Sequence, residues 1–352
     1  MIALSFCGAL SFVAMRPAQG AFPGENGLIA FSSDRAGSRD IYTIAADGSN
    51  VTLVASSPVE DIDPDWSPDG TRIAFATSRD ADFEIYTMAG DGSGQTNITN
   101  TPGIDYAPSW APDGTRIAFH SWRTGTSDVY LADADGSNQA ALTTDPEFDG
   151  FASWSPDGTT IAFYALHGPT SDIHVIQTDG SGEASLTNND ASGDSSWSPD
   201  GARIAFTSVN GEVYVMDADG DNPTNLTNNP AFDGAPAWSP DGSRIAFVSD
   251  RDGDLEIYVM NAGGSDPVNI TNDPGEDYSP AWQPIPLAEP TPTLSPPPNA
   301  SPPPTQGVGG LPPAGAGHVG DAPASARWAV IALAAAGAAG ALGAALRRRA
   351  GG

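Results

Sequence analysis

Lysine is absent from this 352-residue chain, and all 14 of its basic residues are arginine. Against them stand 44 acidic residues, for a formal net charge of −30. Such a chain repels polyphosphate, which excludes nucleic acid as a partner and leaves cationic partners, metal ions or simple solubility. Cysteine occurs once, as Cys7 in a leading apolar segment expected to be removed, so the mature chain has no disulfide and no cysteine-based metal site. Histidine is scarce as well. His120, His167, His174 and His318 are not spaced as in H-E-x-x-H, and no Gly-x-Ser-x-Gly elbow is present. No catalytic and no metal-ligating residue is therefore assigned. His174 stands where a repeated strand otherwise carries tyrosine and reads as a packed ring. An enzyme working on polysaccharide or peptide with channel carboxylates and His120, as hydrolase or lyase, is the alternative.

What is present divides the chain. Residues 2–15 form an apolar run followed by small residues near Gly20, as in a signal peptide, here placed over 1–20. No basic residue precedes the run, which leaves a start further upstream as the other reading. Residues 285–326 are rich in Pro, Ser, Gly and Ala and read as an extended stalk. Residues 327–346 are long enough to span a bilayer as one helix, and Arg347, Arg348 and Arg349 mark a cytoplasmic tail over 347–352. The expectation is an exported, type I single-pass protein. Leu311-Pro-Pro-Ala-Gly315 also resembles an L-P-x-T-G cell-wall sorting signal, with Ala314 in place of the threonine.

Between these ends the sequence repeats. Trp66, Trp110, Trp154, Trp197, Trp238 and Trp282 recur at intervals of 41 to 44 residues. After the first five comes Pro-Asp-Gly and then Ile-Ala-Phe, as in DWSPDGTRIAF. Each unit continues with a strand such as EIYTMAGDG and ends in a short element such as NIT. Proline fixes φ and glycine takes positive φ in the first turn, and the apolar residues then alternate as strands do. A four-stranded unit of this length cannot bury both faces alone, but radially stacked units can. The first Ile-Ala-Phe, at Ile29, has no tryptophan strand before it, and Trp282 has no Ile-Ala-Phe after it. The two chain ends must therefore complete one blade together. The prediction is an all-β, six-bladed propeller over 21–284.

The pattern x-Trp-Ser-Pro-Asp-Gly-x-Arg-Ile-Ala-Phe…Ile-Tyr-x-Met…Asp-Gly…Asn-Leu-Thr resembles the TolB-like propeller repeat, which is also found in propellers of prolyl oligopeptidase-type peptidases. The resemblance covers about residues 25–283 and implies fold more than function. TolB carries a further N-terminal domain, for which there is no room between Ala21 and Leu28, so a translocation role is not implied. The reading is a monomeric, non-enzymatic binding scaffold for an envelope or extracellular protein, peptide or glycan. A structural or adhesive surface component is the third reading.

Candidate site residues follow from the repeat. Five residues before each tryptophan stand Asp61, Asp105, Asp149, Ser192, Asp233 and Asp277. They form either an acidic ring at the channel mouth or a set of turn-maintaining carboxylates. The next position varies (Ile62, Tyr106, Gly150, Gly193, Gly234, Tyr278), and Tyr106, Phe151 and Tyr278 suggest a stacking surface. No cofactor is expected. Calcium is the one ion offered a place, by the alternating carboxylates of Asp217–Asn222 and Asp250–Glu256, although Asp-Gly turns account for both. Asn97, Asn225 and Asn269 head Asn-x-Thr triplets that read as the fourth strand rather than as glycan acceptors.

Overall fold

A computed structural model describes residues 22–188 and 191–287. The expected signal peptide, most of the stalk, the membrane helix, the basic tail and the Leu311–Gly315 motif lie outside the described residues. The described chain forms 24 strands in six four-stranded sheets. No helix occurs among them.

In each sheet the tryptophan strand is innermost and the Ile-Ala-Phe strand is its neighbour; the Ile-Tyr strand comes third and the short element is outermost. The first blade is assembled from both ends of the chain. Strand Asp277–Ile285 pairs with Glu25–Ser33, with Ile29 opposite Trp282 and Ala30 opposite Ala281.

The core lies between blades rather than within them. Among the described residues there are six buried apolar clusters, each drawn from two adjacent sheets. Six interfaces for six blades require a closed ring, because an open fan would have five. The cluster joining the sixth blade to the first unites Val259 and Ile257 with Phe31 and Trp282. The Ile-Ala-Phe side chains are fully or almost fully buried in every blade. Arg72, Arg116 and Arg203, each just before an Ile-Ala-Phe, lie over the next blade's tryptophan, Arg72 over Trp110 at 4.4 Å.

The turn from third to fourth strand fits against the preceding blade. Gly92, at φ +84°, would place a Cβ 1.8 Å from the carbonyl oxygen of Val54, so only glycine fits. The Asn-x-Thr triplets also have a structural role. The Asn97 side-chain oxygen accepts from the backbone N–H of Thr99 and of Asn100, both at 3.0 Å. Thr99 Oγ1 accepts from the Ile85 N–H at 2.9 Å and donates to the Glu84 carboxylate at 2.5 Å. The relay recurs at Thr187–Asp172, Thr227–Glu212 and Thr271–Glu256.

Each inner strand carries a bulge three residues before its tryptophan or close by. Asp63, Ala107, Phe151, Ala235 and Ser279 all have φ between 49° and 55° there. A bulge bends the strand and re-aims one side chain, which here lets the inner strand curve round the axis.

Candidate functional site

The five repeated aspartates do not present an open acidic ring. Asp61, Asp105, Asp149, Asp233 and Asp277 are each fully buried. A carboxylate out of water needs a partner, and four of the five have an arginine from the end of the adjoining Ile-Ala-Phe strand. Arg79 meets Asp61 at 2.8 Å, Arg123 meets Asp105 at 3.0 Å, Arg251 meets Asp233 at 2.7 Å and Arg35 meets Asp277 at 2.9 Å. Each guanidinium also lies over the tyrosine seven residues further on, at 4.5–4.9 Å. The unit is thus a neutralised Asp–Arg–Tyr stack inside each of four blades. Burial nevertheless raises the carboxyl groups of Asp105 and Asp277 above the usual range, against the lowering effect of their serine and arginine neighbours. The arginines stand four residues after the phenylalanine of each Ile-Ala-Phe, a spacing visible in the sequence but not used in reading the ring.

Two blades depart from the unit. In the fifth, Ser192 replaces the aspartate and Asn210 stands at the arginine position, so both charges are lost together. In the fourth, Asp149 is kept while His167 replaces the arginine and His174 the tyrosine. His167 Nε2 lies 3.3 Å from Asp149, and burial pushes the Asp149 carboxyl up to about 6. His174 Nδ1 lies 2.9 Å from Glu183.

Above the buried ring, the positions that vary between blades divide the mouth into two arcs. Tyr106 and Phe151 are brought together, joined by His120, with ring centroids 5.6 and 5.0 Å from the imidazole. Phe83 packs on Tyr106 at 4.6 Å, Phe148 and Tyr164 close the cluster around Phe151, and Trp122 leans on Phe148 at 5.9 Å. Trp122 is 42% exposed and Ile104 beside it 36%, so the cluster has an open apolar edge. Tyr278 is not part of this cluster. It stands in the first blade beneath Arg39 at 4.7 Å and donates its hydroxyl to Glu276. There the residues before the ring positions are acidic, Glu60 and Glu276, where the aromatic side has Ile104 and Phe148. Of the other varying positions, Ile62, Gly150, Gly193 and Gly234 are buried and offer no side chain to the mouth.

His120, the base of the alternative enzymatic reading, is buried among these rings. Desolvation pushes its pKa down to about 3, so it stays neutral near pH 7 and is a weak proton acceptor. The loops read as calcium candidates use their carboxylates locally. Asp219 accepts from the Asp221 N–H at 3.1 Å, Asp217 from Asn222 at 2.7 Å, and Asp250 from the Phe232 N–H at 2.7 Å. A cavity of about 250 Å³ lies between the Pro-Asp-Gly turns of the third and fourth blades, lined by Arg116, Trp154 and Pro156, at the opposite end of the strands from the aromatic arc.

Phe83, Trp122 and Phe148 were not singled out from the sequence. Each stands at a counted position of the repeat where the residue type changes from blade to blade, as Phe148 does against Glu60, Ile104 and Glu276, and that variation is the signal that could have found them. A family model described as the TolB beta propeller domain matches residues 49–229 and 153–285. No curated protein matches the chain. Among solved structures, TolB from Acinetobacter baumannii is 24% identical with a TM-score of 0.66, over 75% of this chain and 68% of that one. A putative TolB from Agrobacterium tumefaciens is 19% identical with a TM-score of 0.60, over 74% and 100%. A chain of a nidogen–laminin complex is 9% identical with a TM-score of 0.62, over 74% and 99%. At these identities the likeness is one of fold.

Proposed function

The chain belongs to the TolB beta propeller domain family, and on that premise we propose that it is an extracytoplasmic binding scaffold whose aromatic arc receives a peptide segment of a partner protein. The observation that carries this reading is the half-open cluster of Trp122, Phe148, Tyr106 and Phe151. Aromatic side chains with one face packed and one edge exposed are pre-organised anchors for apolar residues, because little freedom is lost on binding. The acidic arc at Glu60 and Glu276 on the same mouth suits a basic residue of the same segment. The apolar run at 2–15 and the run at 327–346 followed by three arginines support an exported chain held at the membrane with the propeller outside.

A pull-down from envelope extract with the wild-type chain and with Trp122→Ala and Phe148→Ala variants tests the reading. The expected result is a partner retained by the wild type and weakened at least about tenfold by each variant, the loss of one hot-spot contact. Unchanged partners with both variants would remove the aromatic arc as the binding surface. Retention on immobilised glycan instead of protein would replace the peptide.

A further inference from the structure

The fourth blade breaks the Asp–Arg–Tyr unit in a way that neither burial nor packing explains. Where the fifth blade gives up the arginine, it gives up the aspartate too. The fourth blade keeps a fully buried carboxylate and removes its permanent cation. In place of the arginine, the Asp149 carboxylate has Thr143 and the imidazole of His167, whose Nε2 stands 3.3 Å away. A third replacement accompanies the two histidines. Arg79 and Arg123 of the second and third blades donate to Gln95 and Gln139, and the corresponding position in the fourth blade is Glu183. An arginine, a tyrosine and a glutamine have thus become two imidazoles and a carboxylate, all capable of ligating a metal.

The replacements converge in space. Ligand atoms of His167, His174 and Glu183 lie within 4.8 Å of one another, and so do those of Asp145, Asp149 and His167, which is common to both groups. The imidazole rings of His167 and His174 stand edge to face at 4.8 Å. These groups come from the inner, second and third strands and from the turn into the fourth. His167 and Glu183 are about one-third exposed, so an ion has access from solvent.

We propose that the fourth blade is a binding site for a divalent transition-metal ion of the zinc class, held by His167, His174 and Glu183 with Asp149 behind His167. Two imidazoles and one carboxylate are a donor set that zinc favours and calcium does not. A ligating imidazole is commonly oriented by a carboxylate on its far nitrogen, which gives Asp149 a reason to persist without arginine. The ion supplies the positive charge that arginine supplies in four other blades. This inference is independent of the aromatic arc.

The test uses the full chain, made without a histidine tag, stripped with chelator and then equilibrated with zinc. The comparison is His167→Arg/His174→Tyr/Glu183→Gln, which rebuilds the arrangement of the second and third blades and is expected to fold on that account. The expected result is one zinc ion per wild-type chain by elemental analysis and a zinc-dependent rise in melting temperature. Cobalt should give the absorption of a tetrahedral or five-coordinate site. The triple variant should bind at least tenfold more weakly and show no zinc-dependent rise. If it fails to fold, Glu183→Gln alone should still weaken binding. Equal zinc binding by wild type and variants, no zinc retained by the wild type, or stabilisation by calcium but not zinc would each overturn the proposal.

Discussion

At the scale of single residues, the buried ion pairs set the largest effects. Asp233 is fully buried and its cation is Arg251. Removing one partner of such a pair leaves a charge in a poor solvent, which costs about 3–5 kcal/mol. Arg251→Ala is therefore expected to lower the urea midpoint sharply. Asp233→Ser combined with Arg251→Asn copies the Ser192 and Asn210 of the fifth blade and should recover most of that loss, as a double-mutant cycle would read out. His120 gives the pH prediction. Its folded pKa of about 3 lies below the unfolded value of about 6.5, so the unfolded chain binds a proton that the folded chain refuses between them. Stability from this group is present above about pH 6.5 and falls as the solution is acidified towards pH 3. His120→Phe should reduce the acid dependence of unfolding by on the order of 2 kcal/mol between about pH 6.5 and 4.5. An unchanged slope in urea melts across that range would contradict the neutral, buried imidazole.

At the scale of elements, the repeat was legible where one physical rule acts in every unit. Trp66 and its counterparts, the Pro-Asp-Gly turns and Ile-Ala-Phe recur because each blade needs the same turn and the same buried strand. Their strand order and the pairing of Ile29 with Trp282 follow from counting. What could not be read was whatever depends on contacts between units or on a change of partner. The ring aspartates read either as an acidic ring or as turn-maintaining carboxylates, because the sequence does not show that Arg79 or Arg123 folds back over them. The aromatic arc was half visible, since Tyr106 and Phe151 lie on inner strands at counted positions. Phe83, Trp122 and Phe148 also stand at counted positions, but the residue types there change from blade to blade, and the sequence does not show that these side chains converge. The Thr relays offer a test at this scale. Thr99→Val keeps the shape but strands both the Ile85 N–H and the Glu84 carboxylate, for an expected loss of about 2–3 kcal/mol. Thr99→Ser should restore most of it in thermal or urea unfolding.

At the scale of the whole molecule, stability depends on closure. Each blade buries its faces only against two neighbours, so a missing interface exposes apolar surface on two sheets at once. The closing strand Asp277–Ile285 bonds to Glu25–Ser33, and its Trp282 lies in the cluster shared with the sixth blade. A chain ending at Thr271 loses this strand, leaves the edge of Glu25–Ser33 unpaired and opens the core between the sixth and first blades. Unpaired edges and bare apolar faces recruit other chains, so the truncated protein should aggregate or unfold without a sharp transition. The register is encoded in the strand rather than in its covalent connection. A synthetic peptide of residues 272–287 added in trans should therefore restore a cooperative melt and suppress aggregation, and the same peptide with Trp282→Ala should do so poorly. A truncated chain that melts as cooperatively as the whole one, with or without peptide, would mean that five complete blades suffice and that the strand from the C-terminal side decorates the ring without closing it.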